Sequence, residues 1–227
     1  MTAPRSLTNR EFEQNGFQLV PAVLTASEVI GLIGLLGEAA KAGRRALLNA
    51  PVQLLASSDR LLDLVRPYLS VEARPVRAIY FDKNPDVNWL VTWHQDLTLA
   101  VRARFDLPSF GPWSLKDGVH HVQAPPEFLE QMIAIRLHLD DCDEDNGALR
   151  VLPDTHRLGR LLVERIQELR KTCPEFICRA SAGDALLMRP LLLHASSRSR
   201  TNRHRRVLHI EYAGFDLPEP LEWFETD

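Results

Sequence analysis

Apolar positions follow one period up to about residue 70 of this chain and a shorter one beyond it. In "LTASEVIGLIGLLGEA", Val29, Leu32, Ile33 and Leu36 recur at i, i+3, i+4 and i+7, which lays one apolar stripe along a helix. Thr25 with Glu28 three residues later is the capping-box signature that starts such a helix. Thr8 with Glu11 repeats it in "LTNREFEQNG", which Gly16 closes. A third helix is predicted from Ser58 toward Pro67, so residues 1–70 read as a helical N-terminal part. After that the elements shorten. "VRAIYFD", "WLVTWHQD", "MIAIRLHLD", "ALRVLP", "FICRA", "ALLMRP" and "RRVLHIEYA" are rich in apolar or β-branched residues and are separated by turn chemistry such as "DEDNG" and "SAGD". Many short strands with few helices between them predict an antiparallel sandwich over residues 71–216. Two insertions interrupt it: residues 97–126, read as a long irregular stretch, and residues 157–173, where "LGRLLVERIQELRKT" reads as helical. No repeat or low-complexity linker divides the chain, so residues 1–227 read as a single domain.

Composition changes this picture little. The 227 residues carry 27 Lys and Arg against 30 Asp and Glu, a formal charge of −3. Nothing in that balance favours nucleic acid or a membrane surface as partner. Three cysteines, Cys142, Cys173 and Cys178, are too few for a disulfide scaffold and show no metal-type pairing. With no apolar run long enough to span a bilayer and no signal-peptide core, the expectation is a cytoplasmic, soluble monomer or homodimer.

The candidate chemistry lies in the histidines. His94 and Asp96 stand two residues apart in "WLVTWHQD", so on a strand both project from one face, as two metal ligands can. His138 and Asp140 repeat the spacing, and spacing alone does not choose between the pairs. His194 ends the apolar run "ALLMRPLLLH", and a buried imidazole there needs a partner. Eleven residues on, Arg205 and Arg206 open "RRVLHIEY". Arg205, Val207 and His209 share one face of that strand and Arg206, Leu208 and Ile210 the other, and both faces of a covered strand are open to apolar contact.

Taken in order, His94-x-Asp96, a distant His194 and an arginine one hairpin later resemble the phytanoyl-CoA dioxygenase family of iron(II)- and 2-oxoglutarate-dependent oxygenases. The likeness extends over "GFQLVPAVLTASEV", "WHQDL", "LHLDDCDEDNGALRVLPDTH", "GDALLM…LLLHASS" and "RRVLHIEY". It implies a double-stranded β-helix core, the jelly roll of cupins, behind N-terminal helices. It implies that His94, Asp96 and His194 ligate iron(II), leaving three adjacent positions for a 2-oxo acid and O₂. It also implies that Arg205 holds the far carboxylate of 2-oxoglutarate, where a planar guanidinium offers two parallel hydrogen bonds. Ser196 matches a co-substrate contact of relatives, and Lys83 in "FDKNP" is a further candidate for the co-substrate or an anionic substrate. Trp113, Lys116 and His121, in the insertion that follows the first two ligands, are candidate substrate contacts on a lid. The expected reaction hydroxylates a small molecule and releases succinate and CO₂. Halogenation is not expected, because Asp96 fills the ligand position that related halogenases leave open. One departure is "PDTH" where the family commonly has Pro-Gly-Ser-His, which bears on the turn at Asp154 and Thr155. The run "RSRTNRHRR" reads as a solvated hairpin. The acidic "DDCDEDNG" lacks EF-hand spacing and reads as a solvent-facing turn with Gly147 at positive φ. The competing expectation is a cupin-like protein that binds metal, as a sensor or a non-oxidative enzyme, without oxygenase turnover.

Overall fold

The computed structural model describes residues 9–69 and 73–226. The N-terminal part comprises α1 (Asn9–Asn15), β1 (Phe17–Val20), α2 (Ala26–Leu36), β2 (Arg44–Arg45), α3 (Ala50–Ala56) and α4 (Asp59–Val65). There follow β3 (Arg74–Lys83), β4 (Val91–His94), β5 (Thr98–Val101), β6 (Trp113–Lys116), β7 (Val119–Gln123) and α5 (Pro126–Leu129). The chain continues through β8 (Met132–His138), β9 (Leu149–Val151), α6 (Val163–Thr172), β10 (Phe176–Cys178), β11 (Ala185–Met188), β12 (His194–Ser196) and β13 (Arg205–Ala213). The Thr8 cap lies outside the described residues. The Thr25–Glu28 capping box is formed, with each side chain accepting from the other residue's backbone N–H.

Two antiparallel sheets face each other as a jelly roll. The larger has the order β1-β11-β8-β13-β3-β2 and the smaller β10-β9-β12-β4. Alternation along the large sheet sorts its side chains. Ile133, Ile135, Leu137, Leu208, Ile210 and Tyr212 pack outward against the helices, in a core that includes Val29, Leu32 and Leu36 of α2. Ala134, Leu186 and Met188 point inward and meet Leu149, Val151 and Leu192 of the opposing side. On the outer face of the small sheet, Trp93, Leu193 and Ala195 pack with Leu169 of α6. Each sheet therefore has a covered back, and the polar members of its inward face are left for the cavity between.

Two features of the N-terminal part depart from expectation. It donates β1 to the edge of the large sheet, with Phe17 paired to Met188 and Val20 to Ala185, and it has an additional helix, α3. Four residues between Gly16 and Pro21 are too short a run for alternation to register. The larger correction concerns residues 97–126, which are not irregular: β5, β7 and β6 form a three-stranded antiparallel sheet. Its hairpin turn is Asp117-Gly118, both residues at positive φ, the backbone that a two-residue loop between twisted strands requires. Leu99, Val101 and Val122 pin this sheet to the body through a core shared with Phe215, Leu221 and Trp223.

Two turns settle local questions. Gly147 has φ +79°, as expected, and a Cβ there would stand 2.5 Å from the Ser197 carbonyl oxygen and 3.1 Å from Lys83 Nζ. Asp154 of "PDTH" sits at φ +68°, in the left-handed region that glycine occupies freely and Asp tolerates. The exchange of Gly for Asp thus needs no different backbone.

Candidate metal centre

His94 closes β4 and His194 opens β12, and the two are direct partners across the strand pair. The register slips between this pairing and Ser196↔Val91, a bulge that turns both Val91 and His94 into the cavity while Trp93 stays outside. Asp96 falls two residues beyond the end of β4 rather than on the strand, held by its N–H to the Pro190 carbonyl at 2.9 Å. The result is one cluster. Ligand atoms of His94, Asp96 and His194 all lie within 4.8 Å of one another. Asp96 Oδ1 is 3.5 Å from His94 Nε2, and Oδ2 is 3.6 Å from His194 Nε2.

Outer contacts aim the imidazoles. His94 Nδ1 lies 2.8 Å from the Thr92 carbonyl and His194 Nδ1 2.9 Å from that of Leu192. A carbonyl only accepts, so each Nδ1 carries the proton and each Nε2 presents a lone pair to the cluster. Burial pushes His194 down to about 4, which keeps it neutral as a ligand must be. Burial works to raise the Asp96 carboxyl, but His194 and His94 outweigh it and hold Asp96 well below the usual carboxylate range. Gln95, between the two ligands, was not singled out in the sequence. Its Nε2 donates to the Leu191 and Gly159 carbonyls at 2.7 and 2.8 Å and its Oε1 accepts from Leu161 N–H at 2.8 Å, clamping the ligand segment.

The competing pair has another use. Asp140 accepts from Arg206 Nε at 2.8 Å and Nη2 at 2.6 Å, a bidentate ion pair on the outer side of the sheet. His138 faces inward with neither ring nitrogen partnered, and burial followed by Arg136 and Arg205 pushes it down to about 3. The spacing His-x-Asp therefore contributes to a cluster that could hold a metal ion at one strand end and to a structural ion pair at the other.

The triad opens on a cavity of about 400 Å³, lined also by Ser196, Arg136 and Arg205. Arg205 is 2% exposed, and its Nε and Nη1 have no hydrogen-bond partner among the described residues. Directly across the β3–β13 pairing stands Lys83, equally buried, whose Nζ donates to Ser196 Oγ at 2.9 Å and to the Ser197 carbonyl. Burial, reinforced by Arg205, pushes Lys83 down to about 7, and burial lowers Arg205 as well. The unused donors of Arg205 suit an anion, whereas Lys83, its neighbour across the strand pair, lies outside the cavity wall and is engaged with Ser196 and Ser197. The residues present thus fit both groups that the motifs imply, a divalent metal on His94, Asp96 and His194 and an organic carboxylate at Arg205.

The lid candidates separate. Lys116 lines the cavity, together with Gln123 of β7. Trp113 does not: three residues from Lys116 on one strand, it lies on the opposite face and packs beneath Arg104, its ring 5.8 Å from the guanidinium carbon. His121 is 1% exposed and stops short of the cavity, its Nδ1 3.1 Å from the Val119 carbonyl; burial, then Arg77, pushes it down to about 4. Arg77, Arg136, His209 and Glu211 line the cavity, and none of them was a site candidate from the sequence, though His209 was placed on the face of Arg205. Their signal was present, since His209 and Glu211 continue the inward phase of Arg205.

Jelly-roll fold, two imidazoles and a carboxylate on one cavity, and a buried arginine in its wall are compatible with a metal and an organic acid bound side by side. Residues 12–207 match the phytanoyl-CoA dioxygenase family, and the chain belongs to it. That family uses iron(II), 2-oxoglutarate and O₂. Similar solved structures include HygX from Streptomyces hygroscopicus with nickel and 2-oxoglutarate bound, at 22% identity and TM-score 0.66 over 92% of this chain and 87% of that one. SnoN, a 2-oxoglutarate-dependent epimerase from nogalamycin biosynthesis, aligns at 16% identity and TM-score 0.68 over 90% and 78%. EctD from S. alaskensis, in its apo form, aligns at 17% and 0.68 over 90% and 75%. No curated protein sequence matches the chain. Among the described residues no helix is long and apolar enough to cross a membrane.

Proposed function

We propose that the protein is an iron(II)- and 2-oxoglutarate-dependent dioxygenase that hydroxylates a small molecule with release of succinate and CO₂. The observation that carries this reading is buried Arg205, whose Nε and Nη1 lack a partner among the described residues, in the same cavity as the His94, Asp96 and His194 cluster. A cupin that binds metal alone has no need of that arginine. Iron(II), when bound, supplies three adjacent open positions for the 2-oxo acid and O₂. The chain's own part is positional: Arg205 and Ser196, with Lys83 behind Ser196, hold the far carboxylate, Gln95 keeps the ligand segment rigid, and the β5–β7–β6 sheet limits access of water. HygX has been crystallised with nickel, 2-oxoglutarate and hygromycin B together, which supports a small-molecule substrate here. The three cysteines are all unpaired, in keeping with a cytoplasmic location. Purified protein with iron(II), ascorbate and 2-oxoglutarate should release succinate, slowly and uncoupled without substrate, and faster with it. Absence of succinate under both conditions would sink the proposal.

Lys83 gives a second test. Its ordinary pKa of 10.5 falls to about 7 in the fold, so at about pH 8.5 the amine is largely neutral before the dianion arrives. A neighbouring carboxylate favours the charged form, so 2-oxoglutarate binding should take up a proton there. Below about pH 6 the amine is already protonated and the uptake should vanish. Calorimetry of nickel-loaded protein in buffers of different ionisation enthalpy measures this directly. Lys83→Met should remove the buffer dependence; an unchanged uptake in that variant assigns the proton elsewhere.

A further inference from the structure

The end of the cavity away from Arg205 holds charged groups that neither metal nor co-substrate uses. Arg205, His209 and Glu211 share the inward face of β13, and six residues of strand put Glu211 about 20 Å beyond Arg205. His209 lies between them, near enough to Asp96 to help hold its carboxyl down. Co-substrate, metal and Glu211 therefore follow one another along a single strand.

A directed set of contacts orients Glu211. Arg136 Nη1 lies 3.2 Å from His209 Nδ1. A guanidinium only donates, so Nδ1 accepts and the ring proton sits on Nε2. That nitrogen stands 3.4 Å from Glu211 Oε1, and Arg77 Nη1 reaches the same oxygen at 3.2 Å. Both contacts fall on Oε1. Glu211 is 8% exposed and lines the cavity, and its Oε2 has no hydrogen-bond partner among the described residues. A carboxylate oxygen that opens on the cavity without a protein donor is available to a donor that enters it.

We propose that Glu211 Oε2 is the substrate anchor and that the substrate is a neutral polyhydroxylated small molecule of the sugar or cyclitol type. This rests on the oxygenase reading above. The local chemistry selects the class. Arg77 contacts Glu211 and Lys116 lines the same cavity, so an ammonium meets two cations and an anion confronts the carboxylate. A hydroxyl avoids both costs, since it donates to Glu211 while accepting from Arg77 or Lys116. Thr98 and Gln123 add further donors and acceptors, while Phe81 and Trp89 offer aromatic faces to the C–H faces of a ring.

The test uses anaerobic protein loaded with iron(II) and 2-oxoglutarate, following its visible charge-transfer band and the heat of binding. The probes are methyl glycosides of the common hexoses and pentoses with the inositols, then spermidine and glucosamine as amines, then palmitoyl-CoA. At least one neutral polyol should bind and shift the band. Glu211→Gln should weaken that binding by about tenfold or more, with iron content and 2-oxoglutarate affinity within about twofold of wild type. Glu211→Asp, which keeps the charge but withdraws it by one methylene, should fall between the two. Binding confined to the amines or to palmitoyl-CoA, no binding by any polyol, or unchanged polyol affinity in Glu211→Gln overturns the proposal. If the band forms and no polyol perturbs it, this inference fails alone. If the band never forms, the oxygenase reading fails and takes the inference with it.

Discussion

His194→Ala should abolish iron binding and succinate release together, and His94→Ala should do the same. Both imidazoles present Nε2 to one point because their Nδ1 protons are committed to the Leu192 and Thr92 carbonyls, so no other nitrogen is aimed to replace either. Removing one leaves two ligands, which is too few for a stable divalent site. Metal analysis after desalting should drop from one iron per chain to near zero in each variant. Activity without added substrate should fall by about a hundredfold or more. Acid acts in the same direction: protons compete with iron for both Nε2 atoms, so affinity falls with decreasing pH. Stoichiometric iron retained in both variants would refute the ligand assignment.

Arg205→Ala should raise the Michaelis constant for 2-oxoglutarate by at least about tenfold, which corresponds to about 1.4 kcal/mol. Arg205 Nε and Nη1 are buried without partners among the described residues, so the co-substrate carboxylate takes up donors that nothing else there satisfies. Arg206→Ala should leave that constant within about twofold. Its guanidinium lies on the other face of β13 and is spent on Asp140, with both side chains about one-fifth exposed. The expected loss there is in stability, about 1 kcal/mol for a partly screened bidentate pair. Steady-state kinetics and denaturant unfolding on the two variants separate these outcomes. The opposite pattern would mean that the inward phase of β13 is carried by Arg206.

Local order was determined by the sequence wherever one principle governed it. The 3.6-residue period of Val29, Leu32 and Leu36 with the Thr25 cap specified α2, and apolar, β-branched runs between turn signals specified the long strands β3, β8 and β13. The order of His94, Asp96, His194 and Arg205 pointed to the cavity through its resemblance to the phytanoyl-CoA dioxygenase pattern, since periodicity alone chose neither the His-x-Asp pair nor the arginine. The Asp-Gly turn at residues 117 and 118 was equally plain as a hairpin signal, and the irregular reading of residues 97–126 passed over it.

What the sequence left open depends on which strands face each other. His94-x-Asp96 and His138-x-Asp140 are identical as spacings; only the β4–β12 bulge brings His194 to the first, and only Arg206 claims Asp140 from the second. Arg205 and Arg206 are adjacent, and the choice between them follows from the helices that cover the Leu208 and Ile210 face, which turns Arg205 inward. Arg77, Arg136, His209 and Glu211 come from three strands that are neighbours in the sheet but far apart in the chain. Local propensity reaches a few residues along the backbone, whereas a cavity is made where distant strands meet. The charge environment of the site therefore exists only once the two sheets have closed on each other.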